Sequence, residues 1–186
     1  MPRCQHHKTK FTPKYFNQKF CLSDKECVGA FNEWCKKQRL KQVNKEWREE
    51  KKVLREKLKT HKDYLNELQV VFNTFIRLRD IEKGCISCGR SLVGVKFDAG
   101  HFYSVGGNPA LRFNENNTHG QCVHCNRDKH GNLLEYAERL PARIGDEGIC
   151  YLKLLKEHSS KLSIPELIAK TAHYKAQIKI LQERNE

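Results

Sequence analysis

Cys85-Ile-Ser-Cys88 is followed, 33 residues later, by Cys122-Val-His-Cys125. Two residues between thiols let each pair form a knuckle whose sulfurs reach one ion, and two knuckles complete the tetrahedral four-sulfur shell of structural Zn2+. The chain between them must therefore return on itself within a short span. The rest of the composition makes such a staple necessary. Hydrophobic residues are 38% and charged residues 31% of 186, with a formal net charge of +13. That supply cannot surround one large core, so long solvated helices around a small compact centre are expected, and an αβ-barrel or doubly wound sheet is excluded. No run approaches the ~18 apolar residues of a membrane span, and Met1-Pro2-Arg3-Cys4 is not followed by a signal-like apolar stretch. A soluble protein of the reducing intracellular milieu is expected, where nine Cys are better explained by metal than by disulfides.

Residues 1–30 carry Cys4, His6, His7, Cys21 and Cys27 and too little apolar material for an unaided core. Cys4, His7, Cys21 and Cys27 make a candidate second Zn2+ site, with Cys4-x2-His7 spaced like a knuckle and Cys21-x5-Cys27 spaced more widely. His6 or Cys35 could replace one member. Cys150 reads as an ordinary thiol.

Residues 31–80 form a helical region. Between Lys36 and Lys62 stand twelve Lys or Arg against four Glu, with no Pro or Gly, an excess of eight positive charges on one element. Such a concentration favours contact with a DNA backbone over a merely solvated face, and Lys51, Lys52 and Arg55 are its candidate phosphate ligands. Leu40, Trp47, Leu54, Leu68 and Phe75 recur at sevenfold spacing, interrupted by His61. Thr60 and Asp63 have the pattern of a helix start, so either two helices, Glu33 to about Lys59 and Asp63 to about Asp80, or one bent helix is expected. The stripe at Leu40, Trp47 and Leu54 needs cover, from a second copy of the chain or from the C-terminal helix around Ile168, Ile178 and Leu181. A homodimer is the expectation.

Residues 81–140 are the site-bearing module, and residues 141–186 supply C-terminal helices. Helical patterns run over Leu133 to Leu140, Asp146 to His158 and Ile164 to Glu186. Within the module, Asp98-Ala-Gly-His101 ends a β-prone run, Asn117 and His119 precede the second knuckle, and Asn126 follows its last thiol. A bland zinc ribbon has no need of these side chains. Hydrolysis of a phosphodiester needs a base for water, a divalent cation for the departing oxygen and cationic groups for the phosphates. Imidazole suits the first, Asp and Asn oxygens the second, and Arg112, Arg127 and Lys129 the third.

These motifs resemble the HNH nucleases of the ββα-metal kind, and with Asn126 in the last position they are similar to the endonuclease VII resolvases. Cys85-Ile-Ser-Cys88-Gly89, Phe97-Asp98-Ala-Gly-His101, Leu111-Arg-Phe-Asn-Glu115, His119, Gln121-Cys-Val123 and Gly131-Asn132 resemble the NinG (Rap) family of phage recombination endonucleases over most of the chain. The resemblance implies an α+β, mainly α fold, with a small zinc-stapled, treble-clef-like ββα-metal module carrying the long basic helix and C-terminal helices. It implies His101 as general base, Asn117 as the residue steadying the loop that bears it, and Asn126 as ligand of a catalytic Mg2+ or Mn2+. Asp98 is the acidic ligand, with His119 the alternative. In the common pattern the acid immediately precedes the base; here Gly100 does, so a bend at Gly100 is needed if Asp98 and His101 are to serve one site. The implied activity is metal-dependent cutting of branched DNA, such as D-loops and Holliday junctions, in the host cytoplasm if the gene is a phage's. A noncatalytic zinc-bearing DNA-binding adaptor and a sequence-specific HNH nicking or restriction enzyme are the competing readings.

Overall fold

Thr60 starts a new helix two residues after Leu58 ends the one before it. Its side chain accepts from the Asp63 N–H while the Asp63 carboxylate takes the Thr60 N–H, a reciprocal cap that satisfies two otherwise orphaned donors. The helical region is therefore two helices, α1 (Lys25–Lys57) and α2 (His61–Asp80). This computed structural model describes residues 1–156 and 161–184, so the expected helix ends at His158 and Glu186 lie outside the described residues. The chain divides into two compact units, Met1–Leu58 and Lys59–Glu186. No helix among the described residues is long and apolar enough to cross a membrane.

In the first unit, α1 begins earlier than its charge pattern suggests, because Asp24 caps it by accepting the Cys27 N–H at 2.7 Å. That cap places Cys27 in the first turn of α1, facing the loops before it. Cys4, Phe20 and Cys27 are buried there, with Phe11, Phe31 and Trp34 packed around them. From Lys36 onward α1 is exposed throughout. Leu40, Trp47 and Leu54 are each more than half exposed, and Lys51 Nζ stands 4.7 Å from the centre of the Trp47 ring.

In the second unit, α2 is covered by α4 (Ile164–Arg184), whose entrance is held by Ser163 and the Glu166 carboxylate. Leu68, Phe72, Phe75 and Ile76 of α2 meet Leu167 and Tyr174 of α4 and Phe113, with Ile178 and Leu181 packed alongside. The C-terminal helix thus spends its apolar face on α2. Strands β1 (Phe97–His101) and β2 (Thr118–Cys122) pair antiparallel, Asp98 opposite Gln121 and Gly100 opposite His119. Every residue of β2 is buried. Gly100 is required here, since a Cβ would lie 2.2 Å from Gln121 Oε1. Helix α3 (Leu133–Lys156) is broken at Gly145 (φ 69°, ψ 172°), between the helical patterns Leu133 to Leu140 and Asp146 to His158. Tyr136, Leu140 and Leu152 of α3 bury against Ile86 and Leu111.

A buried ion pair fixes the hairpin to α2. Asp80 is fully buried, takes both Arg79 Nε and Nη2 at 2.8 Å, and accepts the Gly120 N–H at 2.9 Å. Arg79 also donates to the Thr118 carbonyl at 2.8 Å. Burial alone would raise the Asp80 carboxyl, but the guanidinium and the amide bring it down to about 2. Asp80→Ala should cost ~3–5 kcal/mol in chemical denaturation, because Arg79 and the Gly120 N–H lose their partner together. The folded pKa lies below the ordinary 3.8, so this stability is complete above that pH and is lost as pH falls toward about 2.

Candidate metal centres and hairpin site

The loop after α2 turns at Gly84 (φ 73°) and places Cys85 for the first knuckle, closed by the Gly89 N–H donating to the Cys85 carbonyl at 2.9 Å. The hairpin brings Cys122 back to it. Cys122 N–H points at Cys85 Sγ (3.3 Å), Cys125 N–H at Cys122 Sγ (3.5 Å) and Asn132 Nδ2 at Cys125 Sγ (3.5 Å). These donors stabilise thiolates, and they have no purpose for four inert thiols. The four sulfurs lie within 4.8 Å of one another. A tetrahedron with Zn–S of about 2.3 Å has S–S edges of roughly 3.8 Å, and Cys88 and Cys122 are 3.8 Å apart.

The N-terminal unit assembles the second set as expected, from Cys4, His7, Cys21 and Cys27, with ligand atoms again within 4.8 Å of one another. Cys27 Sγ is 3.6 Å from both Cys4 and Cys21. His7 turns Nδ1 toward Cys21 Sγ at 3.1 Å and Nε2 toward Asp24 at 3.0 Å. A carboxylate taking the far N–H of a ligating imidazole fixes ring and tautomer, so Asp24 caps α1 and orients His7 at once. Hydrogen bonds from Ser23 hold the Cys21 thiol down to about 6. The cluster includes neither His6 nor Cys35.

Around the hairpin the candidate residues fall on two faces. Asp98 lies on the face of Gly100, His119 and Gln121. Arg127 binds it in bidentate fashion (2.7 and 2.8 Å), and Asn126 Nδ2 donates to it at 3.0 Å. Arg127 is the main reason the Asp98 carboxyl lies below the usual range, and the Asn126 amide adds to it. Asn126 and Arg127 sit in a π-helical turn, His124–Asp128, directly after the second knuckle. His101 ends β1 on the other face. The bend at Gly100 that a shared site would need is not formed, because pairing with β2 runs in register through His101, and Asp98 and His101 stay apart.

His101 donates Nε2–H to the Arg112 carbonyl at 3.0 Å, leaving Nδ1 as the basic nitrogen. Burial lowers its pKa. Arg112 is itself anchored, Nε to Gln69 at 2.7 Å. Asn117, fully buried, donates to the Tyr103 and Leu111 carbonyls and accepts the Tyr103 N–H at 2.8 Å, pinning both ends of the loop that follows β1. His119 is buried and neutral, its pKa pushed down to about 3 by desolvation. Its Nδ1 bonds the Tyr136 hydroxyl, which donates to the Gly100 carbonyl. Lys129 is exposed, as are Lys51, Lys52 and Arg55 on α1.

Four site-shaping residues escape sequence reasoning. Asp80 and Arg79 read as ordinary helix-end charges, Tyr136 as a helix core position, and Gln121 only as the residue before the second knuckle. Only the Gln121 Nε2 bonds to Ser87 and to the Gly131 carbonyl reveal that it ties the hairpin to both knuckle loops.

The fold and sites define a mainly helical α+β protein with two candidate zinc centres, of which the Cys85, Cys88, Cys122 and Cys125 set staples a β-hairpin. The chain belongs to the NinG family: the model described as Bacteriophage Lambda NinG protein matches residues 1–185. It is 38% identical over 131 residues to Protein ninG of Escherichia phage lambda, covering 70% of this chain and 63% of the relative. It is 37% identical over 131 residues to Protein ninG of Escherichia phage 933W, covering 70% and 64%. The matched stretch is therefore less than two thirds of those relatives' length. No solved structure matches the chain.

Proposed function

We propose that this chain is a metal-dependent endonuclease of phage recombination, with an HNH-type ββα-metal site, that cuts branched DNA such as D-loops and Holliday junctions in the host cytoplasm. One observation carries the reading: the zinc-held hairpin and the turn after its last cysteine gather Asp98, Asn126 and Arg127, and the same strand ends on an oriented imidazole. His101 serves as general base through Nδ1, with the Arg112 carbonyl fixing its tautomer. Asn117 holds the loop between that base and β2. Asp98 and Asn126 would hold Mg2+ or Mn2+, which would supply stabilisation of the departing 3' oxygen. For that, β1 must bend at Gly100 to bring Asp98 and His101 to one site, Asn126 must turn its amide oxygen inward and Arg127 must leave Asp98. Arg127 is more than half exposed and can swing to a phosphate. His119, with Nδ1 engaged by Tyr136, offers only Nε2 as an alternative ligand.

The second reading, a noncatalytic DNA-binding adaptor, is favoured by the closed Asp98–Arg127 pair, which serves equally well as a structural clasp. Incubation with a labelled four-way junction, a D-loop and plain duplex, each with Mg2+, Mn2+ or EDTA, separates the two. The nuclease reading requires metal-dependent cuts in branched substrates, and binding without cuts under every condition leaves the adaptor.

The basic helix supports a shape-reading role. A pair of chains joined through the exposed Leu40, Trp47 and Leu54 stripe would present two basic arms to backbones diverging from a junction, whereas straight duplex engages one well. Replacing Lys51, Lys52 and Arg55 with Gln should weaken junction binding more than duplex binding and reduce the salt slope by roughly 2–3. Unchanged binding of both DNAs would make α1 a solvated spacer.

A further inference from the structure

The first 22 residues contain Arg3, Lys8, Lys10, Lys14 and Lys19 and no Asp or Glu. Among them Phe16 is 93% exposed and its neighbour Tyr15 54%, while Phe11, Phe20, Phe31 and Trp34 pack around the buried cysteines. The turn bearing the two exposed rings is deliberately shaped. Gln18 is buried beneath it, its Oε1 accepting the Lys14 N–H at 2.7 Å and its Nε2 donating to the Phe20 carbonyl at 2.7 Å. Asn17 completes the turn in the left-handed region at φ 61°. A polar side chain is thus placed inside the module to hold a phenyl ring outside it. Beside the ring lies a groove of about 410 Å3, whose lining includes Pro2, Arg3, Pro13, Asn17 and Lys19.

We propose that this face of the N-terminal unit binds single-stranded DNA, with bases stacking on Phe16 and Tyr15 and phosphates meeting Arg3, Lys14 and Lys19. Stacking on an aromatic ring requires a base with a free face, which duplex DNA does not offer along its length. The cations without anions select a polyanion, and the amides of Gln5 and Asn17 at the groove suit base edges rather than lipid chains. In its biological setting the inference rests on the proposed action on branched DNA, because a D-loop displaces one strand. Binding here is separate from the hairpin site: the residues belong to the first unit and the hairpin to the second.

The test uses the full-length, zinc-loaded protein with fluorescein-labelled oligo(dT), with mixed-sequence duplex and with phosphatidylserine vesicles. Phe16→Ala should weaken oligo(dT) binding about tenfold or more, with duplex binding and zinc content unchanged. Phe16→Leu, which keeps the apolar bulk and removes the stacking ring, should lose as much. Phe16→Trp should bind as the parent does, with its indole emission quenched by oligo(dT). The inference is overturned if Phe16→Ala and Phe16→Leu both bind oligo(dT) like the parent, if single-strand and duplex binding fall equally, or if the parent prefers vesicles. A protein that cuts no branched DNA yet shows the Phe16-dependent single-strand binding would sink the nuclease reading and leave this one standing.

Discussion

His101→Ala should lower the cleavage rate on branched DNA by ~10²-fold or more while affinity for the same DNA stays nearly unchanged. The imidazole is held by one hydrogen bond to a backbone carbonyl, so its removal leaves that carbonyl short of a donor but disturbs no ion pair. A loss of rate with intact binding is then a chemical loss. The pH profile gives an independent reading. Burial holds His101 below the ordinary value of 6.5, so the neutral base persists at that pH and the acid limb of the rate profile should lie lower. Stability follows the same sign: the contribution of the neutral ring is present above 6.5 and lost as pH falls through the depressed folded value. Undiminished cleavage by the mutant would move the base elsewhere. His119 is a poor substitute, since it is buried, held at about 3 and bonded through Nδ1 to Tyr136. His119→Ala should act mainly by leaving the Tyr136 hydroxyl and the strand beside Gly100 loose.

The parts of this fold that sequence makes legible are those where a local rule needs no tertiary partner. The paired Cys-x2-Cys spacing, the Thr60–Asp63 cap and the Gly145 break each act within a few residues, and each stands where its pattern places it. The start of α1 is harder to read, because Asp24 sits inside a cysteine-rich stretch whose spacing speaks of metal and not of helix. Strand β2 carries Thr, His, Gly, Gln and Cys, a set with little strand propensity. It is a strand because Asp80 takes the Gly120 amide and the knuckles close on either side, a tertiary cause that no local window contains. The same holds for the candidate site. Asp98, His101 and Asn126 are conspicuous by type and spacing, but which face each occupies depends on an unbent register that the Asp-Ala-Gly-His run does not disclose.

Removing the second knuckle should unfold the hairpin unit outright. Structural Zn2+ in small domains contributes ~10–16 kcal/mol of folding free energy near neutral pH, about the whole stability of an ordinary domain. Cys125→Ser leaves three sulfurs and a weak oxygen, and it takes away the sulfur to which Asn132 donates. Loss of cooperative melting and of the β-hairpin amide signals is expected. Cys21→Ser, by contrast, should abolish the N-terminal set while α2, α4 and the hairpin keep their melting transition, because the two sets lie in separate compact units. Elemental analysis should find two zinc per chain in the parent and one in Cys21→Ser. Mild EDTA should remove a catalytic cation and stop cleavage before it unfolds either unit, with Mg2+ restoring activity. One zinc in the parent would make Cys4, Cys21 and Cys27 free thiols. The unit around Phe20 and Trp34 would then have to stand on its aromatic packing alone, which three half-buried rings and Phe20 can do only if α1 nucleates at Asp24 without metal.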